Sequence, residues 1–137
     1  MYCASNLRQI ALAMKQYAED NDGRFPPDFG AFYPGYVDHP KIFSCPAKPS
    51  RWEEIQRIGR IRPEHTSYVY VSGLNGADPA GCILAYCRLG SHEMEGTNAV
   101  FLDTHAEWLR PDEFRRRLKE TLRLAREKGR EVRLVGE

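Results

Sequence analysis

Residues 91–109 read SHEMEGTNAVFLDTHAEWL, and the fold turns on how the second half of this stretch is paired. Asn98 to Leu102 and His105 to Leu109 are two short, largely apolar runs around the polar step Asp103–Thr104, the pattern of an antiparallel hairpin. Pairing Leu102 with His105 across a two-residue turn sets Phe101 opposite Ala106 and Ala99 opposite Trp108, one apolar face that packs Phe101 and Trp108 into a core. Val100, Leu102, His105 and Glu107 then share the other face. The turn resists this reading, because a favoured two-residue hairpin turn needs positive φ at both central residues and Thr104 is β-branched. Either the loop is longer or Thr104 carries about 1 kcal/mol or more of strain.

Working outward, TSYVYVSG (66–73) and CILAYCRL (82–89) alternate in the manner of strands and are separated by the polar turn LNGADPAG. Downstream, Pro111 suits a first helical position, and Phe114, Leu118, Leu122 and Ala125 form one stripe that ends at Gly129. At the other end, ASNLRQIALAMKQYAEDN (4–21) places Leu7, Ile10, Ala11, Met14, Tyr17 and Ala18 at helical spacing, with Gly23 positioned as a stop. Between them, prolines at 26, 27, 34, 40, 46 and 49 argue against regular structure. There Phe25, Phe29, Phe32, Tyr33, Tyr36 and Phe43 are expected to pin an irregular loop to the body. RWEEIQRI (51–58) suits a short helix capped by Ser50. REVRLVGE (130–137) reads as a tail. The order predicts an α+β domain: an N-terminal amphipathic helix on a small antiparallel sheet, with an added C-terminal helix.

A chain of 137 residues, 42% hydrophobic and 28% charged, suits one globular domain over 1–137, with its core in 3–109 and a basic helix over 111–128. The longest apolar runs are of the size of AVFL (99–102), too short to span a bilayer, and no signal peptide is present. Residues 110–133 hold ten Lys or Arg against five Asp or Glu, so this +5 segment leaves −4 on the remainder of a chain whose net charge is +1. The basic helix admits a nucleic-acid reading centred on Arg115, Arg116 and Arg117, but Glu113, Glu120 and Glu127 stand at pairing distance along it.

Two chemistries compete for the polar residues. His92, Asp103 and His105 form a two-histidine, one-carboxylate set able to hold iron or zinc, or they mark only a hairpin corner. No general base or nucleophile stands beside them in sequence, so the chain is not expected to be an enzyme. The loop NGADPAG (75–81) offers Asn75 and Asp78 to calcium, a donor set poor in carboxylates. The cysteines, Cys3, Cys45, Cys82 and Cys87, lack a zinc-ligand spacing and suit either disulfides or buried free thiols. A Cys3–Cys45 bond would close a loop of about 43 residues, worth roughly 4 kcal/mol. Cys82 and Cys87 fall on opposite faces of a regular strand and can pair only if it is bulged.

Three ordered segments resemble prepilin-type proteins, relatives of type IV pilins and of the type II secretion pseudopilin G. They are CASNLRQIALAMKQYAEDNDGRFPP (3–27), the Cys45–Pro46 step followed by Ser67–Tyr68, and the closing HEMEGTNAVFLDTHAEWL (92–109), similar to an H-x-D-G-H hairpin. The resemblance implies a structural subunit of a pilus or secretion pseudopilus, bacterial, at the cell surface or in the periplasm, with other pilin or pseudopilin subunits as partners. It also implies a membrane-anchored protein, held by an apolar N-terminal helix of which this chain lacks the first half. No small-molecule substrate or nucleic acid is expected, and no cofactor beyond the calcium or transition metal already named. Two features depart from the pattern: Thr104 stands where the family has glycine, and the helix over 111–128 lies beyond the resemblance.

Overall fold

The computed structural model describes residues 2–28, 31, 33, 35–37, 39–45, 50, 52–88 and 95–135. Helix α1 (Tyr2–Asp20) forms where the apolar stripe predicted it, with Leu7, Ile10, Ala11 and Met14 fully buried. It ends as Gly23, at φ 82°, returns its N–H to the Ala18 carbonyl at 2.8 Å. The chain then passes through a 3-10 turn at Pro40–Phe43 and the short helix α2 (Trp52–Ile58). Strands β1 (Tyr68–Ser72), β2 (Ile83–Cys87), β3 (Thr97–Phe101) and β4 (Ala106–Leu109) follow, then α3 (Pro111–Glu127) and β5 (Arg133–Val135).

The five strands make one antiparallel sheet in the order β4-β3-β2-β1-β5. Every residue of β1, β2 and β3 is buried, so both faces of the sheet are covered. Adjacent residues of β2 show by what: Cys87 reaches Cys3 of α1, while Tyr86 meets Phe114 of α3 edge-on at 4.7 Å. The expected α+β layout, helices at both ends of the chain flanking a small antiparallel sheet, is what forms. Aromatic residues do tie the proline-rich segment down: Tyr36 meets Tyr17 at 5.5 Å and bonds Asp20 at 2.7 Å, and Tyr33 meets the buried Phe43 at 6.3 Å. Phe29 and Phe32 lie outside the described residues.

Three expectations are corrected. The β3–β4 register is one residue off the predicted one: Val100 pairs with Ala106, Ala99 with Glu107 and Asn98 with Trp108. Its cause is a three-residue loop, Leu102 to Thr104, closed by the Phe101 N–H on the His105 carbonyl at 3.0 Å, with Thr104 at φ 73°. The slip moves Trp108 to the face opposite Phe101 and leaves it 47% exposed instead of in the core. Residues 133–135 of the supposed tail are a strand, antiparallel to β1 with Val71 opposite Leu134. Finally, the chain is not membrane-anchored by any described helix: none is long and apolar enough to cross a membrane, α1 itself carrying Arg8, Lys15, Glu19 and Asp20.

Candidate metal centre

Three segments distant in sequence bring thiols to one point beneath α1. Cys3 lies in the first turn of α1, Cys45 just after the 3-10 turn, and Cys87 at the end of β2. Their ligand atoms all lie within 4.8 Å of one another, and the residues are 2%, 0% and 0% exposed. None of the three is joined in a disulfide.

Hydrogen bonds fix the backbone at Cys45 and Cys87 and tie down the turn of α1 that carries Cys3. The Cys45 N–H donates to Ser67 Oγ at 2.9 Å, and the Ser67 N–H returns to the Phe43 carbonyl at 2.8 Å, so the loop bearing Cys45 is stitched to the start of β1. Asn6, one turn after Cys3, donates from Nδ2 to the Ser44 carbonyl at 3.0 Å and to the Tyr68 hydroxyl at 3.2 Å, joining α1 to the same two segments. Cys87 stands opposite Tyr68 in the β1–β2 ladder, and its carbonyl accepts a 2.6 Å bond from Thr97 Oγ1.

The electrostatics hold two of the three thiols, Cys3 and Cys87, in their protonated form. The Cys3 thiol is pushed up to about 11, first by its hydrogen bond to Cys45 and further by burial, with Cys87 and Asn98 pulling the other way. Cys87 is pushed up as well, by its hydrogen bonds to Cys3 and Cys45 and then by burial. Burial, with the neighbouring thiols, likewise raises the Tyr68 phenol. A bare thiolate is disfavoured in this setting, and a soft cation supplies the charge that would stabilise one.

Among the described residues this is the group of three or more His, Cys, Asp or Glu whose donor atoms converge tightly enough to hold a metal ion. It overturns the expectation that the chain is not an enzyme, since a buried trio able to coordinate a metal is the kind of site that serves catalysis or holds a cofactor. Sequence reading brought Cys3 and Cys45 together but missed Cys87. The missed signal was strand alternation: Ala85 and Cys87 share one face of β2, and Tyr86 the other, so a β2 packed under α1 carries Cys87 to Cys3. Cys82 stands outside the trio, just before β2, beside Thr121 and Asp78.

The residues first considered for metal are arranged differently. His92 lies outside the described residues. His105 has both ring nitrogens engaged, Nδ1 by Asp103 Oδ1 and Nε2 by Glu107 Oε2 at 2.7 Å, and its ring stacks on Phe101 at 4.5 Å. Arg117 extends the network, over the Phe101 ring at 5.2 Å and bonded to Glu107 at 3.3 Å. The hydrogen bond to Glu107, opposed by burial and reinforced by Asp103, raises the His105 pKa above its ordinary value. In the loop suggested for calcium, the Asp78 side chain is 4% exposed and already holds Lys128 at 2.9 Å, Arg130, and the Asn75 N–H at 2.8 Å. Along α3, Arg116 and Arg117 pair with Glu113, and Arg123 pairs with Glu120 and Glu127.

Compared with known proteins, the chain matches no family model, no curated protein and no solved structure.

Proposed function

We propose that this protein is a metal-binding module whose centre is the buried trio Cys3, Cys45 and Cys87. The carrying observation is the convergence of three thiols within 4.8 Å from three separate segments at 2% exposure or less. Thiolate sulfur selects soft and borderline ions, Cu(I) and Zn(II) foremost, over Mg²⁺ or Ca²⁺. In this role the chain's own groups have distinct tasks. Ser67 and Thr97 set the positions of Cys45 and Cys87, Asn6 ties α1 to the Cys45 segment, and burial excludes water. Binding releases the thiol protons, so uptake strengthens with rising pH. The test is elemental analysis of untagged protein purified anaerobically in reductant, followed by titration with a thiophilic ion read at its thiolate charge-transfer absorption. One ion per chain, lost in Cys45→Ala, supports the module; no uptake by the folded chain sinks it.

A second reading is favoured by a different observation: α1 laid along an antiparallel β1–β4 meander is the layout that the pilin resemblance implies. In that reading the domain is the head of a pilus or pseudopilus subunit, facing outward among other subunits of its kind. Mass spectrometry of filaments sheared from the source cells tests it, and filaments without this chain count against it.

A further inference from the structure

The trio suits a second chemistry besides metal binding, because thiols in mutual reach can also give up two electrons. We propose that it is a redox site that closes a Cys3–Cys45 disulfide against a low-molecular-weight disulfide oxidant and keeps Cys87 as a thiol. Closure of the bond stands on the geometry of the thiols alone; only its consequence for an ion rests on the metal reading. The three sulfurs lie within 4.8 Å of one another, and the Cys3 thiol is hydrogen-bonded to both Cys45 and Cys87. A disulfide brings two sulfurs to about 2 Å, so contact becomes a bond only where a backbone can give. Cys87 is the arm least able to move. It ends β2, with β1 on one side, where it stands opposite Tyr68, and β3 on the other, where Thr97 Oγ1 holds its carbonyl at 2.6 Å. Cys45 lies outside the sheet, just past the 3-10 turn, with its N–H on a side chain, Ser67 Oγ, at 2.9 Å. Cys3 rides on α1, which Asn6 joins to its neighbours by side-chain bonds at 3.0 and 3.2 Å. The bond therefore forms between these two arms and ties the helix to the loop ahead of β1.

The step balances as two exchanges. One thiol of the pair attacks the S–S bond of the oxidant, forms a mixed disulfide and releases one half of the oxidant as a thiol. The other attacks the protein sulfur of that mixed disulfide and releases the second half. Two cysteine sulfurs are oxidised, the oxidant is reduced to two thiols, and the two S–H protons leave with them. At 2% and 0% exposure the pair meets the oxidant through local opening, so the reaction is slow in the folded chain. Once made, the bond is favoured by the alignment of its ends, which the fold holds at high effective concentration. An ion held by the trio loses two of its three ligands to the disulfide, so the bond and the ion exclude each other.

The experiment holds the full chain, metal-free, in mixtures of reduced and oxidised glutathione until folded and urea-unfolded samples each reach equilibrium. Quenching with an alkylating agent in denaturant, then intact mass and peptide mapping, counts the thiols and locates the bond. The expected result in the folded chain is alkylation of two of the four cysteines, Cys82 and Cys87. The Cys3–Cys45 bond should close at a glutathione ratio at least tenfold more reducing than the unfolded chain requires. Cys3→Ser and Cys45→Ser, each checked for native circular dichroism, should abolish it, while Cys82→Ser leaves it unchanged. Should either of the first two fail to fold, the other carries the test, with Cys82→Ser as the folded control. Four alkylated cysteines at every ratio, a bond to Cys82 or Cys87, or closure no easier folded than unfolded overturns the proposal. Zn(II) added beforehand should slow closure tenfold or more. A Cys3–Cys45 bond that closes as fast with Zn(II) present supports the redox site and counts against the metal reading. Zn(II) uptake by a chain that never forms the bond does the reverse.

Discussion

Thr97 donates its hydroxyl to the carbonyl of Cys87 at 2.6 Å, so the first residue of β3 holds the last residue of β2 in place. Both residues are fully buried, and the bond holds the backbone of Cys87, the third arm of the thiol trio. Thr97→Val keeps the shape and removes the donor, leaving the Cys87 carbonyl short of a partner. It should cost about 1–3 kcal/mol of stability, and Thr97→Ser should recover most of it. Urea unfolding of the metal-free protein measures both, and an unchanged midpoint in Thr97→Val would show that the bond contributes nothing.

The trio also makes the metal-free fold sensitive to alkali. The Cys3 thiol titrates at about 11 when folded against 9.0 for an ordinary thiol, so above the lower value the unfolded chain releases a proton that the folded chain keeps. The Cys3 contribution to stability should therefore be constant below pH 9 and fall by roughly 2–3 kcal/mol on approach to pH 11. Thermal melts across that range, repeated on Cys3→Ser, provide the check: a variant that loses as much stability as the parent would exclude Cys3 as the source.

Asp78 governs the acid side. Burial raises its carboxyl, but hydrogen bonds from Arg130 and Lys128 outweigh burial and hold it at about 2, below the ordinary 3.8. Its contribution, roughly 2 kcal/mol, is present above pH 4 and disappears as pH falls through the folded value. Asp78→Asn should lower stability at pH 7 and flatten the profile between pH 4 and 2. A variant with the parent's acid profile would contradict this assignment.

Thr104 occupies a left-handed position at φ 73° in the hairpin loop, where a β-branched residue is strained. Thr104→Gly relieves that strain and, after the entropy of a freer unfolded chain, should stabilise the protein by about 0.5–1 kcal/mol. A lowered melting temperature would mean that Thr104 makes contacts worth more than its strain.

His105 should titrate above 6.5, because Glu107 and Asp103 both favour its charged form. The stabilisation is complete below the unfolded value and is lost as pH rises through the folded one. With the side chain 45% exposed, it amounts to less than about 1 kcal/mol. Proton NMR of the imidazole reports the shift, and His105→Ala should leave metal uptake by the trio unaltered.

Much of this architecture can be read directly from residue spacing, where a single face decides the outcome. The stripe Leu7, Ile10, Ala11 and Met14 has one way to be buried, and it is buried so. Pairing is harder to read. The β3–β4 register depends on whether two or three residues make the turn, a difference invisible in the apolar pattern because both registers bury Phe101. β5 has three residues and its partner lies more than sixty positions upstream, so nothing local marks Arg133–Val135 as a strand. The thiol trio is harder still. Cys3, Cys45 and Cys87 share no short spacing, and only the stacking of α1 over β2, with the Cys45 loop stitched to the start of β1, makes them neighbours. Asp103 and His105, two positions apart, drew attention for the opposite reason, and they close a surface network with Glu107 and Arg117.

The seat of β5 beside β1 has a consequence for how the protein is made. β1 is a central strand only once residues 133–135 have joined it; until then its outer edge, on a strand whose side chains are almost wholly buried, stays unpaired. During synthesis the thiol trio is complete by residue 87, well before that edge is covered. A nascent chain can therefore gather its cysteines while still offering an open strand to its neighbours, and a chain released short of residue 133 should self-associate along that edge.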